Sequence, residues 1–273
     1  MHESHRRNAL KLATWNINSV RLRLPLVKRF LRTEQPDVLA LQEIKVVNEL
    51  FPGEALSKLG YAHQAINGQK GYHGVAILSR LPFRKTARLN FCGKEDSRHI
   101  SVVLENGVEL HNFYVPAGGD IPDPARNEKF AHKLSFLKEM REGFAARHRE
   151  RNAPMILVGD LNVAPLEHDV WSHKQLLGVV SHTPVETELL AQAKAEFDWI
   201  DVTREAVPHD QKIYSWWSYR AQDWQASDRG RRLDHIWTTQ ALKGAVKSHA
   251  IHKRVRGWKQ PSDHVPVVAQ FEI

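Results

Sequence analysis

Acidic and amide side chains stand at the ends of several apolar runs in this chain. Asn16 closes Leu12-Ala13-Thr14-Trp15, Glu43 closes Val38-Leu39-Ala40-Leu41-Gln42, and Asp160 and Asn162 close Met155-Ile156-Leu157-Val158-Gly159. Asp234 follows Arg232-Leu233, and Asp263 and His264 precede Val265-Pro266-Val267-Val268. A folded chain buries apolar strands and leaves polar groups at their tips, so carboxylates at several tips predict one shared site at a sheet edge. Oxygen donors of this kind suit a hard divalent cation and phosphate-ester chemistry. Each residue alone has a plainer reading. A single Leu-Gln-Glu is more often a cap or a surface glutamate, and a lone asparagine more often a turn residue. A histidine among 16 argues nothing by number. The inference rests on the set.

The elements that must position these groups can be read from apolar periodicity. Leu10–Thr14, Val38–Gln42 and Met155–Val158 read as strands, and Tyr61–Ile66 and Val75–Leu78 flank a loop at Gly68-Gln69-Lys70-Gly71. Arg98–Leu104 and Val108–Tyr114 are joined by Glu105-Asn106-Gly107, where Asn-Gly suits a tight hairpin turn. Arg21–Thr33, Phe51–Leu59, Arg126–His148 and Glu186–Glu196 read as helices, and Pro116–Pro124 as a loop rich in Gly and Pro. Ile213–Tyr219, Leu233–Thr238, Ala245–Ile251 and Val265–Phe271 read as the closing strands. Helices and strands interleave, yet hairpins are present, so a purely parallel sheet is excluded in favour of a mixed α/β sandwich with two sheets covered by helices. Neither a repeat nor a linker interrupts the pattern, which predicts one domain over 10–273 behind a flexible basic tail at 1–9.

Composition bounds the function classes. The chain has 273 residues, 42% of them hydrophobic, and a formal net charge of +8. A basic surplus fits a polyanion partner, because Lys and Arg on a phosphate backbone release condensed counterions. Solubility alone is the plainer reading of that surplus. No run of about 18 apolar residues is present, so no membrane span or membrane partner is expected. Cys92 is the single cysteine, which excludes an intrachain disulfide and favours a reducing compartment. The start of the chain is basic and lacks the apolar segment of a secretory signal, so the expected location is cytoplasmic.

Taken in order, Thr14-Trp15-Asn16-Ile17-Asn18, Leu41-Gln42-Glu43, Gly159-Asp160-Leu161-Asn162, Arg232-Leu233-Asp234 and Ser262-Asp263-His264 resemble exonuclease III and its abasic-site endonuclease relatives, in the endonuclease/exonuclease/phosphatase superfamily. Gly68–Gly71 and Tyr214-Ser215-Trp216-Trp217-Ser218-Tyr219-Arg220 add to the likeness, which runs from about Leu10 to Ile273. It implies a four-layered α/β sandwich and a Mg²⁺-dependent hydrolase, with Mn²⁺ as the other candidate. The implied substrate is double-stranded DNA, cut by a monomer 5′ to abasic sites or at its 3′ ends, a 3′-phosphate among them. Under the resemblance, Glu43 is the main metal ligand, supported by Asn16 and Asp263. Asp160 prepares the attacking water, Asn162 and Tyr114 donate to phosphoryl or leaving oxygens, and Asp234 orients His264. A second metal position could also draw on Asp160, Asn162 and His264. Arg98, Lys45, Lys70, Arg220, Trp216 and Trp217 become DNA contacts; by strand alternation one of the two tryptophans should face inward.

The chain departs from the pattern in three places. Ala117 follows Pro116 where the family has Asn or Gln, Arg231 replaces an apolar residue that walls the sugar pocket, and His235 follows Asp234. Arg231 is therefore expected to weaken an apolar pocket and add a phosphate contact. Two other classes fit parts of the sequence: a superfamily phosphatase or phosphodiesterase for lipid or small-molecule phosphates, and a catalytically silent DNA-binding module.

Overall fold

The computed structural model describes residues 9–273. The expected tail lies outside the described residues, except that Ala9 already belongs to the first strand. The first sheet runs, edge to edge, Val246–Ile251 (β13), Val267–Glu272 (β14), Ala9–Asn16 (β1), Val38–Gln42 (β2), Val75–Ser79 (β4) and His63–Asn67 (β3). The second runs Phe83–Ala87 (β5), His99–Leu104 (β6), Glu109–Tyr114 (β7), Met155–Asp160 (β8), Asp234–Thr238 (β12) and Ile200–Asp201 (β9). A short ribbon pairs Trp216–Trp217 (β10) with Gly230–Arg231 (β11). The helices are Leu24–Glu34 (α1), Gly53–Ser57 (α2), Glu128–Ala146 (α3), His173–Leu176 (α4), Pro184–Glu196 (α5), Val202–Ala206 (α6) and Trp224–Ser227 (α7).

Strand residues of both parities are apolar because both faces of each sheet are covered. Leu12 of β1, Val38 and Ala40 of β2, and Ile156 and Val158 of β8 fill the space between the sheets. Their neighbours Ala13, Trp15, Leu39 and Leu41 turn outward onto Val27, Phe30 and Leu31 of α1. On the opposite side Phe113, Leu157 and Trp237 pack against Phe130, Leu137 and Leu190 of α3 and α5. The result is the expected helix–sheet–sheet–helix sandwich.

Each sheet contains one parallel pair, β1 with β2 and β7 with β8, and each pair is joined across a long helix, α1 or α3. Parallel strands end on the same side, so Asn16 and Glu43 leave one sheet, and Tyr114 and Asp160 the other, at a common edge. β12 runs antiparallel to β8 and starts there, with Asp234 opposite Asp160.

Local chemistry sets the helix ends. The Asn127 side chain accepts from the Lys129 N–H at α3, and Thr183 with Glu186 forms a capping box at α5. The short helices α4, α6 and α7 and the two-residue strands β9 and β11 go beyond the sequence expectation, and two further differences have plain local reasons. Ile213–Tyr219 contributes only Trp216–Trp217 to a ladder, because its neighbours are a two-residue strand and a single bridge to His264. β5 was not expected: it is an edge strand whose middle residues are exposed and polar, so no alternation marks it.

Candidate active site

The site lies in a cleft of about 630 Å³ where both sheets end, lined by Glu43, Tyr114, Asn162, Trp216, Asp263 and His264 among others. Asn16 is fully buried behind Glu43. Its amide nitrogen donates to Glu43 Oε1 at 2.9 Å and to Asp160 Oδ2 at 2.8 Å, so a single side chain ties the two sheets' carboxylates together. Glu43 and Asn162 both adopt left-handed backbone, with φ of 49° and 53°. For glutamate that conformation is costly, and its presence at a strand tip marks a position fixed by its surroundings. Gly159 turns the chain into Asp160 with φ of 142°, and a Cβ there would stand 1.9 Å from the Phe113 carbonyl oxygen. Only glycine lets β8 approach β7 at this point.

A second line of hydrogen bonds enters from the first sheet. His264 Nδ1 lies 2.8 Å from Asp234 Oδ2, and its Nε2 lies 3.6 Å from Asp160 Oδ2. Asp234 Oδ2 also accepts from the Ser215 hydroxyl at 2.6 Å. Burial opposes a charge on the imidazole, but Asp234 and Asp160 outweigh it and raise the His264 pKa to about 10. The ring is therefore a cation that donates through Nδ1 to Asp234, while Nε2, 3.6 Å from Asp160, is beyond hydrogen-bond length and free to donate elsewhere. Burial raises Asp160 to about 7, with Asp234 and Glu43 adding to the rise and His264 and the Asn16 amide opposing it. A carboxylate near neutrality can exchange a proton with water. Tyr114 is pushed up by burial and by the charges of Glu43 and Asp160, so its phenol remains a donor.

The donor set bears on a cation. Asp160, Asp234 and His264 form a tight cluster, but Asp234 is spent on His264 and Ser215, and an imidazolium has no free lone pair. The oxygens of Glu43 and Asp160 are the better match: two carboxylates joined through the Asn16 amide, no thiolate, and Glu43 on the cleft wall, which suits a hard divalent cation. Burial would raise Glu43, yet Lys45 and the Asn16 amide hold it below the ordinary carboxylate range, and Lys45 Nζ stands 2.9 Å from Glu43 Oε2. Glu43 is thus ionised and ready to ligate.

Several expected residues take other places. Asp263 accepts from Trp216 Nε1 at 2.9 Å and from Asn18 Nδ2 at 3.3 Å, so it braces the cleft wall. Trp216 faces the cleft; Trp217 is the inward one of the pair, packed on Tyr214 and Trp224. Arg98, expected near a substrate strand, is buried instead. It donates to Asp96, to His73 Nε2 at 2.8 Å and to the Tyr114 carbonyl at 3.3 Å, and it lies over the Tyr114 ring. Its contribution is to hold Tyr114. Lys45 is committed to Glu43 and Asn18. Arg220 and Arg231 line the cleft, while Lys70 is exposed in the β3–β4 loop and is absent from the cleft lining.

Sequence reasoning missed Lys133. Its ammonium, fully buried, donates to the Asn162 carbonyl at 2.7 Å, to the Ala117 carbonyl at 3.3 Å, and to Glu186. The available signal was a lysine on the apolar stripe of α3, between Phe130 and Leu137.

Two mixed sheets packed face to face, with carboxylates and an imidazolium gathered where they end, define a phosphoesterase of the α/β-sandwich class. The chain belongs to the Endonuclease/Exonuclease/phosphatase family, which matches residues 13–264. It is 31% identical to exodeoxyribonuclease III of Haemophilus influenzae over 96% of this chain and 100% of that one. Among solved structures it resembles the Neisseria 3′ phosphatase NExo bound to product DNA hairpin, with 30% identity, a TM-score of 0.88, and 97% and 100% of the two chains covered. An AP endonuclease from Archaeoglobus fulgidus is 32% identical, also with a TM-score of 0.88 and the same coverage.

Proposed function

We propose that this chain, a hydrolytic nuclease of DNA repair, is a Mg²⁺-dependent phosphodiesterase, with Mn²⁺ as a substitute, that cuts duplex DNA 5′ to abasic sites and removes nucleotides or phosphates from 3′ ends. The observation that carries the reading is the Asn16 amide bound to both Glu43 and Asp160, with the His264 cation beside Asp160. Asp160 takes a proton from water, whose oxygen forms a new bond to phosphorus. The P–O3′ bond breaks, and the electron pair leaves on the 3′-oxygen. His264 donates through Nε2 to a phosphoryl oxygen, where the hydrogen bond strengthens as charge develops, and Tyr114 stands as donor to the departing oxygen. The Asn162 amide, expected as a second phosphoryl donor, is instead committed to the Val115 carbonyl at 2.8 Å and to Asp160 Oδ2 at 3.2 Å, and so holds Asp160 in place. Glu43 and Asp160 would hold the cation, which when bound supplies a Lewis acid at the phosphate. Asp234 keeps the imidazole turned and charged. No covalent intermediate is required.

Trp216 and Arg220 border the cleft as DNA contacts, and the net charge of +8 favours duplex binding with steep salt dependence. The expected enzyme acts as a monomer in the cytoplasm; no helix of the described residues is long and apolar enough to cross a membrane.

The test is parallel turnover of abasic, 3′-recessed and 3′-phosphate duplexes, with and without EDTA. Cleavage that stops with chelator and returns with Mg²⁺ supports the proposal. Full activity in excess EDTA, or in Asp160→Ala, would overturn it, as would turnover of inositol phosphates or sphingomyelin in preference to DNA.

A further inference from the structure

We infer that Arg231 is a specificity-determining residue that biases this site toward a terminal 3′-phosphate over an abasic sugar. The inference deepens the proposed function and rests on it. Trp216 pairs with His264 on one side and with Arg231 on the other, so the three form adjacent rungs of a small sheet. At ~4.8 Å per strand, Arg231 stands about 10 Å from His264 along the cleft. Paired residues on adjacent strands share a face, and all three line the cleft.

The Arg231 guanidinium lies over the Trp216 ring, 5.1 Å from its centroid, and that ring is fixed by its bond to Asp263. Arg231 Nη1 donates to the Val180 carbonyl at 3.0 Å and to Ser181 Oγ at 2.7 Å, whereas its Nε is buried without a partner. Arg229 is stacked in the same way, 4.6 Å from the centroid of Trp171, and Arg220 lines the same cleft. Among the described residues none of these three arginines is in an ion pair. The carboxylate that acts on Arg231 is Glu186, which is itself paired with Lys133, so this half-buried guanidinium has neutral acceptors, no direct ion-pair partner, and capacity for an anion.

Substrate chemistry decides which anion. In a diester cut 5′ to an abasic site, the 5′-bridging oxygen, which stays on phosphorus when the P–O3′ bond breaks, carries a neutral, base-free sugar. That neutral sugar offers a guanidinium no charge to pair with, and the stacked arginine covers the apolar face of Trp216 that would otherwise be open to it. In a terminal monoester the same oxygen is free and carries a second negative charge. The guanidinium wall faces this added charge and has nothing to displace. Water attack and P–O3′ cleavage are unchanged, and the products become inorganic phosphate and a 3′-hydroxyl.

The experiment compares kcat/KM on a 3′-phosphate duplex with that on an abasic duplex for wild type, Arg231→Leu and Arg231→Gln, with thermal melts of each. The 3′-phosphate to abasic ratio is expected to fall ~10-fold or more in both variants, with KM for the phosphate end rising, consistent with loss of one charge-assisted contact. Inorganic phosphate should inhibit wild type competitively and either variant far less, a readout that the Gln variant supplies if Leu fails to fold. Wild type active on both duplexes, with a ratio unchanged within about twofold in a folded variant, would overturn the inference alone. Wild type turning over neither duplex would overturn the proposed function as well.

Discussion

Lys133 should be among the most costly side chains to remove outside the reacting groups. Its ammonium and the Glu186 carboxylate are both fully buried between α3 and α5. Burial lowers the Lys133 pKa, and Glu186 opposes that shift. Lys133→Met keeps length and volume but leaves Glu186 charged in the interior, where breaking one half of a buried pair costs about 3–5 kcal/mol. Glu186 retains the Ser181 and Thr183 N–H groups and the Thr183 hydroxyl, which argues for the lower end, about 3 kcal/mol. The Asn162 and Ala117 carbonyls lose a buried donor, adding roughly 1–2 kcal/mol. A total near 4 kcal/mol is a large part of the roughly 5–15 kcal/mol that holds a domain folded. Adding Glu186→Gln removes the stranded charge and keeps an acceptor for the capping box, so the double variant should recover about 2 kcal/mol. Urea unfolding followed by fluorescence gives both values from the midpoint at constant slope. Because Lys133 pins the carbonyl of Asn162, kcat should fall even where the single variant is fully folded. A single variant within about 1 kcal/mol of wild type, or a double variant no more stable than the single, would refute this reasoning.

Other outcomes follow from the same geometry. Asp234→Asn removes a charge that raises His264, so an activity needing the imidazolium should lose its alkaline limb at lower pH by at least one unit, measured as a kcat–pH profile. Gly159→Ala places a Cβ against the Phe113 carbonyl and should destabilise by at least ~3 kcal/mol in the same urea assay. Acid should unfold the protein earlier than carboxylates alone would require. His235, His73 and His249 are held neutral by burial, with pKa values near 4, and His99 and His111 are lowered too. The unfolded chain protonates these rings below pH 6.5 while the fold does not, so their stability is present above that pH and lost as pH falls toward 4. His235 alone accounts for ~2 kcal/mol at pH 5. Asp160, raised rather than lowered, works in the opposite sense and offsets about one of them, and a melting series from pH 7 to 4 measures the net.

The carboxylates' convergence was legible in sequence for a physical reason: apolar runs buried on both faces end abruptly, and the residue that ends each run must sit at an edge. Asn16, Glu43, Asp160 and Asn162 follow this rule, and two long helices between parallel strands bring their tips to one side. Partners on distant segments leave no such trace. Arg98 reads as a strand-opening cation, but its role is set by Asp96, His73 and the Tyr114 carbonyl, whose positions depend on the loop and on the neighbouring strand. Lys133 reads as one charge in a long helix until α5 supplies Glu186. The Tyr-Ser-Trp-Trp-Ser-Tyr run alternates like a strand, and the inward turn of one tryptophan follows from that alternation. What alternation cannot give is the neighbour on each side. Trp216 lies between His264 and Arg231, with its indole N–H on Asp263 and its face under a guanidinium. The positions of the reacting groups are therefore written in local sequence, whereas Trp216 joins three remote segments, and if the proposed role of Arg231 holds, substitutions around this ring should change which DNA end is chosen before they change how phosphorus is attacked.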